Sequence, residues 1–284
     1  MKHSALLSVN LAVFFFGLAG LFAKWVELPA LWITFGRVLF SSAALFLFAK
    51  LTRQPLALRS RRDGRLFLLS GCVLAFHWWS FLASIQLSTV AIGTITFSSF
   101  PLFLTFLEPL VFRRRLSLRN IAAALLILLG VLVTVPEFSV ENRMARGVLL
   151  GMGCALSYAV LTLLNKAFSG RYSATVISFF EQSVAALVLL PLVIRTGLLP
   201  SPRDVGLLLL LGVFTTALAH SLFISSLRHI PAQLAGICSS METVYGILLA
   251  FLLLGEAPSL RECLGAVIIL GVVIWSQLAQ QEEA

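Results

Sequence analysis

The second half of this chain repeats the first. At a shift of 142 residues, half of the 284-residue length, Ser117-Leu118-Arg119 falls on Ser259-Leu260-Arg261 and Phe81 falls on Phe223. Self-similarity at a fixed spacing indicates that one structural unit occurs twice. Any fold for this chain must therefore divide into two related halves.

The composition excludes a water-soluble domain. Hydrophobic residues make up 59% of the chain, charged residues only 12%, and the mean hydropathy is +1.00. Charged residues make up about a quarter of an ordinary soluble domain. A soluble protein of this length has no interior large enough for so many apolar side chains, so the composition indicates an integral membrane protein.

Ten apolar runs are long enough to cross a bilayer as helices, which takes about 20 residues each. They lie near residues 5–23, 28–49, 66–86, 90–112, 119–136, 147–168, 174–194, 205–227, 231–254 and 262–279. Five fall in each half. The predicted fold is an all-α integral membrane protein of ten transmembrane helices, with one five-helix unit over residues 1–142 and another over 143–284.

Lys and Arg are distributed unevenly among the loops. With a cytoplasmic N-terminus, the inner loops and tail hold fourteen of the 21 Lys and Arg residues, the outer loops hold six, and Arg37 lies inside the second helix. This asymmetry satisfies the positive-inside rule and predicts that both termini are cytoplasmic. The net charge of +9 is therefore a topology signal and does not indicate a nucleic-acid partner.

Five helices per half is an odd number, so the two halves must cross the membrane in opposite senses. Inverted repeats of this kind occur in many secondary transporters. The substrate binds near the midplane between the halves, and the halves rock about it. The repeat therefore predicts transport by alternating access.

The region of the ninth and tenth predicted helices resembles the closing motif of an EamA domain. The motif runs from Met241-Glu242-Thr243 through Leu252-Leu253-Leu254-Gly255-Glu256 to Ser259-Leu260-Arg261 and Gly265-Ala266, and Pro101 marks a weaker copy in the first half. The EamA domain is the five-helix unit of the drug/metabolite transporter superfamily, and the resemblance spans nearly the whole chain. It implies an inner-membrane exporter or importer of small metabolites. Helices 1–4 and 6–9 would enclose a central cavity, with helices 5 and 10 outside it.

The chain departs from the family's pattern at one pair of residues. The usual Glu-Pro of helix 9 is Glu242-Thr243 here, and the corresponding pair in the first half is Phe100-Pro101. Glu108-Pro109 follows eight residues later. Roles assigned to the family's Glu-Pro are therefore not carried over to Glu108-Pro109.

Ionisable side chains inside membrane helices are the first candidates for a substrate site, because a charge near the bilayer centre costs about 2.5 kcal/mol or more. Five such residues are Arg37, His77, Glu181, His220 and Glu242, in the second, third, seventh, eighth and ninth helices. His77 and His220 are one residue off register under the repeat, and both can bind substrate or relay protons. The alternative for His77, His220 and Glu242 is a packing role, in which the side chain bonds to a neighbouring polar group. Arg37 and Glu181 lie nearer helix ends, where snorkelling relieves part of the cost.

The predicted substrate-binding set is completed by four further residues, Trp78, Ser98, Tyr158 and Ser240. Trp78 and Trp79 lie mid-membrane beside His77, although Trp usually prefers the interfaces. They point about 100° apart on a helix, so at most one of them shares a cavity with His77. A Trp wall beside a His would suit an organic or aromatic substrate.

Motifs for catalysis or cofactor binding are absent from the sequence. There is no Gly-x-x-x-x-Gly-Lys phosphate loop, no Gly-x-Ser-x-Gly and no His-Glu-x-x-His. The four cysteines have no pairing or metal-ligand spacing. We therefore expect no enzymatic activity, no cofactor and no metal site. The expected partners are a small-molecule substrate and membrane lipids, and a homodimer is left open.

These features together predict a secondary transporter that moves a small organic metabolite, such as an amino acid or a related compound, across the inner membrane, as an exporter. The energy comes either from the proton gradient, through Glu242 or a histidine, or from the substrate's own gradient. One alternative is a flippase for lipids or lipid-linked sugars. The alternative from another class is a non-transporting membrane scaffold or an intramembrane enzyme.

Overall fold

The computed structural model describes residues 2–112, 118–134, 142–226 and 232–281, and the regular structure in these ranges is entirely helical. The helices of the first half are α1 (Lys2–Ala19, continued by Phe22–Trp25), α2 (Ala30–Leu51), α3 (Arg61–Leu87), α4 (Val90–Phe97, then Phe100–Phe112) and α5 (Leu118–Thr134). Those of the second half are α6 (Arg143–Ser169), α7 (Ala174–Arg195), α8 (Pro202–Gly212, Val213–Leu218 and Ala219–Ser226), α9 (Ala232–Leu254) and α10 (Leu260–Gln281). Each of these ten overlaps one predicted run, which confirms the predicted all-α fold of two five-helix repeats.

The lengths and surfaces of the helices suit a lipid environment. In the described ranges, α1, α2, α3, α6, α7 and α8 are long and apolar enough to cross a membrane by length and composition. Shorter apolar stretches lie in α4, α5 and α9. Large apolar side chains such as Leu47, Leu187 and Leu252 are exposed on the outside of the bundle. These contiguous exposed surfaces would be unfavourable in water and are favourable against lipid.

Side-chain caps mark where several helices begin. Ser60, Thr89, Ser173 and Ser201 accept a hydrogen bond from a backbone N–H in the first turn of α3, α4, α7 and α8, respectively. At the start of α8, Ser201 and Asp204 form a reciprocal capping box. The caps satisfy N–H groups that have no partner within the helix. The capping residues therefore fix where these helices begin.

The two halves pack with an approximate two-fold relationship. α3 packs along α6, and its counterpart α8 packs along α1. α1 likewise packs along α9, and α6 along α4, whereas α2 pairs with α7 and α5 pairs with α10. Exchanging each helix with its counterpart five positions along the chain reproduces this set of contacts. Such a pattern is what inverted five-helix repeats require.

Polar contacts join the two halves at one end of the bundle, which is the predicted outer end. The ammonium group of Lys24 lies 3.2 Å from the Oε1 atom of Glu256 and donates to the carbonyl oxygen of Ser88 at 2.9 Å. The backbone N–H of Val90 donates to the other carboxylate oxygen of Glu256 at 3.0 Å. Glu256 therefore ties the loop before α10 to the end of α1 and the start of α4, and Lys24 ties the end of α1 to the end of α3.

α3 and α7 approach each other closely at Gly71. A Cβ atom added to this residue would lie 2.4 Å from the Cβ atom of Val184 and 2.9 Å from the carbonyl oxygen of Glu181. Both separations are too short for non-bonded atoms. The absence of a side chain at Gly71 therefore allows the two helices to pack at this distance.

We expect Gly71→Ala to lower the free energy of unfolding by about 1–3 kcal/mol, because α3 and α7 must separate to admit the Cβ atom. Gly206→Ala is the matched control, since a Cβ atom there would have no neighbour within 4 Å. That control should leave stability unchanged or slightly raised, because Ala favours a helix over Gly. Thermal unfolding of the purified variants in detergent measures both effects. Equal melting temperatures for Gly71→Ala and the wild type would contradict the close packing.

Candidate functional site

A cavity of about 570 Å³, its mouth included, lies in the middle of the bundle. Among the described side chains, those that line it come from seven helices and none comes from α5, α7 or α10. The lining residues are Phe16, Ala19, Arg37, Leu74, His77, Trp78, Phe81, Phe97, Tyr158, Leu161, His220, Phe223 and Glu242. The described lining is thus mostly aromatic and includes one cation, Arg37, and one carboxyl group, Glu242.

Repeat symmetry extends to the cavity wall. Four pairs of lining residues are related by the shift of 142 residues, namely Phe16 with Tyr158, Ala19 with Leu161, Trp78 with His220, and Phe81 with Phe223. Residues related by the repeat can share one cavity only near the axis that relates the two halves. The cavity therefore lies at this axis, where transporters with inverted repeats bind their substrates.

Arg37 of α2 is the cation of the cavity. Its side chain is only 3% exposed, and its Nε–H donates to the hydroxyl of Thr216 at 2.8 Å. The guanidinium carbon lies 4.0 Å from the centre of the Trp78 ring, in a cation–π contact. These two contacts hold the guanidinium group in place, and no hydrogen bond of its terminal nitrogens is found among the described residues.

The partner of Arg37 lies in an irregular part of α8. Residues Val213–Leu218 form a π-helical turn, in which the Thr216 hydroxyl donates to the carbonyl oxygen of Leu211 at 2.8 Å. Thr215 donates to the same carbonyl oxygen at 2.7 Å. An inserted π turn changes the direction of the side chains that follow it, and such turns are frequent at functional sites. Here the turn brings the Thr216 hydroxyl against Arg37.

Glu242 of α9 supplies the carboxyl group of the cavity. It is 9% exposed and lines the same space as Arg37, so the two side chains attract each other electrostatically. Among the described side chains, however, no ion pair within 4.0 Å joins them. A carboxyl group and a guanidinium group are therefore both presented to whatever occupies the cavity.

The two predicted histidines line the cavity from different halves. The Nδ1 atom of His77 lies 3.1 Å from the carbonyl oxygen of Cys154, which favours the tautomer with the proton on Nδ1. The Nε2 atom is then an acceptor. The His77 ring lies 5.2 Å from the ring of Tyr158, and the His220 ring meets Trp78 edge-on at 6.4 Å. Both histidines thus form part of the aromatic wall.

The structure brings together six of the nine predicted site residues. Those that line the cavity are Arg37, His77, Trp78, Tyr158, His220 and Glu242. Trp79 does not line it, in agreement with the expectation that only one of the two adjacent tryptophans would do so. Whether these residues bind substrate stays a prediction.

The other three predicted residues have different positions. Ser98 shares a hydrogen bond with the hydroxyl of Thr243 and so lies in the contact between α4 and α9, outside the lining. Glu181 is fully buried in α7 and also lies outside the lining, because α7 packs behind α2 and α3. Ser240 lies outside the side chains that the structure describes.

Several lining residues were not predicted from the sequence. Phe16 and Phe223 belong to pairs related by the repeat, so a search for aromatic residues that coincide under the shift would have found both. Phe97 has an aromatic ring contact with Tyr158 at 5.1 Å but no such signal. Thr216 also has no signal in the sequence, because its role depends on the π turn.

The chemistry of the cavity suits a charged organic molecule. A guanidinium group favours carboxylate or phosphate, and a carboxylate favours an ammonium group. The surrounding rings favour an apolar or aromatic body. No group of three or more His, Cys, Asp and Glu side chains that could hold a metal ion occurs among the described residues.

Two inverted five-helix repeats around a cavity define a class of proteins, the multi-pass membrane transporters. The model of the EamA-like transporter family matches the chain twice, over residues 3–135 and 145–277. The chain belongs to this family, which confirms the resemblance found in the sequence. The division of the chain at residue 142 stays a prediction.

Relatives match over nearly the full length. The chain is 27% identical over 98% of its length to the uncharacterized transporter YwfM of Bacillus subtilis, of which 95% is covered. It is 25% identical over 99% of its length to the uncharacterized inner membrane transporter YicL of Salmonella typhimurium, of which 98% is covered. It is 24% identical over 86% of its length to an S-adenosylmethionine uptake transporter of Rickettsia conorii, of which 81% is covered. A crystal structure with 20% identity matches with a TM-score of 0.69 over all of both chains, which shows the same fold.

We expect Thr216→Val to destabilise the protein more than its neighbour variant Thr215→Val. Both variants lose the bond to Leu211, but only Thr216→Val also removes the acceptor of the buried Arg37 Nε–H. A hydrogen bond to a charged group contributes about 1.5–3 kcal/mol, so the difference between the variants should approach that range. Thermal unfolding in detergent measures this difference. Equal losses would mean that Thr216 does not hold Arg37.

Proposed function

We propose that this transporter moves a zwitterionic organic metabolite, such as an amino acid or a related compound, by alternating access. The observation that carries the proposal is that Arg37 and Glu242 line one aromatic cavity without pairing with each other. A ligand with both a carboxylate and an ammonium group supplies a partner to each residue. Binding then neutralises two charges that are otherwise unfavourable in the membrane interior.

The binding mode follows from the contacts of each residue. The carboxylate of the substrate binds the terminal nitrogens of Arg37, because the Nε atom is already bonded to Thr216. The ammonium group binds Glu242. The rest of the substrate lies against Tyr158, Phe97 and neighbouring rings, which provide stacking and apolar contact.

Only the aromatic part of the wall is symmetric, and this gives the substrate one orientation. The position that corresponds to Arg37 in the second half is Phe179, and the position that corresponds to Glu242 in the first half is Phe100. The two charges therefore occur once each. A zwitterion binds with its carboxylate toward α2 and its ammonium group toward α9.

The relatives supply a first substrate to test. Those of Rickettsia conorii and Rickettsia felis are named S-adenosylmethionine uptake transporters. S-adenosylmethionine carries a carboxylate, an ammonium group, a positively charged sulfonium and an adenine ring. These groups match the guanidinium, carboxylate and aromatic components of the cavity, so this compound is the first probe, followed by free amino acids.

We further propose that the protein lies in the inner membrane with both termini in the cytoplasm, and that it exports its substrate. The Lys and Arg asymmetry supports the orientation, and one relative is named an inner membrane transporter. Export stays a prediction from the sequence. Since the Rickettsia relatives are named for uptake, direction is measured separately with protein of known orientation.

The purified protein in liposomes should transport radiolabelled S-adenosylmethionine or at least one amino acid faster than empty liposomes do. Glu242→Gln should keep its thermal stability and lose about tenfold or more of the flux, because a neutral amide cannot pair with an ammonium group. Trp78→Phe should also reduce flux, since it weakens the cation–π contact with Arg37. Trp79→Phe, outside the cavity lining, is the matched control and should not reduce it.

Other results would contradict the proposal. Movement of a labelled lipid, but of none of the soluble probes, would favour a flippase. A folded protein that moves no probe would favour a scaffold. Wild-type flux in Glu242→Gln would remove Glu242 from the substrate site, whereas loss of folding in that variant would give it a structural role.

The topology is tested independently of substrate. A reporter fused after Ala284 and a second reporter inserted near residue 141, outside the described residues, should report opposite sides of the membrane. The C-terminal reporter should be cytoplasmic, because most Lys and Arg residues lie in the loops on that side. A cytoplasmic signal from both fusions would contradict the proposed orientation and the crossing of α6–α10 in the opposite sense to α1–α5.

A further inference from the structure

Around Glu181 of α7 lies a group of buried polar side chains that the cavity does not include. Both carboxyl oxygens of Glu181 are buried, and neither has a hydrogen-bond partner among the described residues. The hydroxyl of Ser178 and both amide atoms of Gln182, on neighbouring turns of α7, are also buried and have no hydrogen-bond partner in the described part of the chain. Because buried polar groups in proteins are nearly always paired, this concentration points to a bound species.

Two side chains from other helices, Ser70 of α3 and Asn165 of α6, lie near the Glu181 carboxyl group, and the donor group of each favours its ionised form. The Ser70 hydroxyl donates to the carbonyl oxygen of Phe67 at 3.2 Å. The Oδ1 atom of Asn165 is buried and has no donor among the described residues. The carboxyl group therefore lies near an acceptor that still requires a hydrogen.

The helices that pack against α7 provide no described cation for an ionised Glu181. Those helices are α2, α3, α6 and α8. Their ionisable side chains in the interior are Arg37, His77, Cys154, Tyr158 and His220, which line the cavity or bond to His77. Their exposed ionisable side chains are Lys50, Arg61, Arg62, Arg65, Cys72, Arg143, Arg146 and Arg203.

Two buried carboxylates on these helices, Asp63 and Asp204, have partners of their own in Arg171 and Ser201. None of these described groups forms an ion pair with Glu181. The side chain of Lys166 lies outside the described ones. An ionised Glu181 would thus be a buried charge without a described counter-ion, which is costly.

We propose that Glu181 is a proton-binding site, separate from the substrate site, and that the proton it carries is coupled to transport. Protonation gives the carboxyl group an O–H donor that the Oδ1 atom of Asn165 can accept, and it removes the uncompensated charge. One proton therefore satisfies two buried groups at once. The proton comes from water on one side of the membrane and returns to water on the other, so the O–H bond that forms on Glu181 when the proton binds is broken again on release.

Coupling follows from the helices that the two sites share. Ser70 and Asn165 lie one turn along α3 and α6 from Leu74 and Leu161, which line the cavity. When the cavity opens to the other side, movement of these helices relative to α7 changes what Glu181 contacts. Protonated and ionised Glu181 then favour different arrangements, which is the condition for an ion to shift a conformational equilibrium. This inference rests on the proposed alternating access.

Proton binding is tested without any substrate. Infrared difference spectra of the purified full-length protein are recorded between mildly acidic and mildly alkaline pH. The wild type should show the carbonyl band of a buried carboxylic acid, and Glu181→Gln should lose it. Glu242→Gln, the other intramembrane Glu-to-Gln variant, is the matched control and should retain the Glu181 band. Asn165→Leu keeps the carboxyl group but removes its acceptor, so it should shift the band even if Glu181→Gln does not fold.

Coupling is tested in liposomes with a probe that the wild type transports, beginning with S-adenosylmethionine. A pH gradient should drive accumulation of the probe by the wild type and not by Glu181→Gln, which should still bind the probe. Spectra of Glu181→Gln that match the wild type would overturn the proton site. Accumulation that Glu181→Gln retains, or that requires sodium instead of a pH gradient, would overturn the coupling. Absence of flux for every probe would contradict the proposed function and leave the infrared result standing.

Discussion

Hydrocarbon offers no hydrogen-bonding partner to a peptide group, so each span of this protein must satisfy its backbone internally. The helical structure of the described chain follows from this constraint. Interruptions involve buried residues, as at Ser98 and Ser99 in α4 and at Thr215, Thr216 and Ala217 in the π turn of α8. In both places a hydroxyl bonds a carbonyl oxygen of the preceding turn, from Ser99 to Thr96 and from Thr216 to Leu211. Irregular backbone is therefore available at the cavity without exposure to lipid.

The same constraint applies to the polar side chains in the interior. They form two groups, one that lines the cavity and one around Glu181 that lies behind it. In the cavity, Arg37 is held by Thr216 and Trp78, and among the described side chains it forms no ion pair with Glu242, which is the arrangement that the proposed zwitterionic substrate would complete. One turn further along α3 and α6, Glu181 is buried away from the cavity among polar atoms that lack partners. The aromatic wall follows the repeat, but the charged groups do not. Symmetry thus favours a cavity that can open to either side, and its violation gives the ligand a direction.

Much of the architecture could be predicted from the sequence. The repeat, the lengths of the apolar runs and the odd number of helices per half determine two inverted five-helix units, because a span must have a minimum apolar length. The sequence also identified Arg37, His77, His220 and Glu242 as candidates, because ionisable groups are rare within membrane helices. All four line the cavity. Rarity thus found the charged part of the site, although it also selected Glu181, which lies outside the cavity lining.

Only the tertiary structure decided which side chains share a space. Glu181 is as unusual in the sequence as Glu242, yet one lies behind the cavity wall and the other on it. In a soluble protein the polar face of a helix shows which side points outward. In lipid both the outer and the inner faces of a helix are apolar, so the sequence pattern does not show which face of a helix points toward the cavity. The partnership of Thr216 with Arg37 likewise required the π turn. The sequence by itself determined the helices and their rare charges, and packing decided where those charges meet.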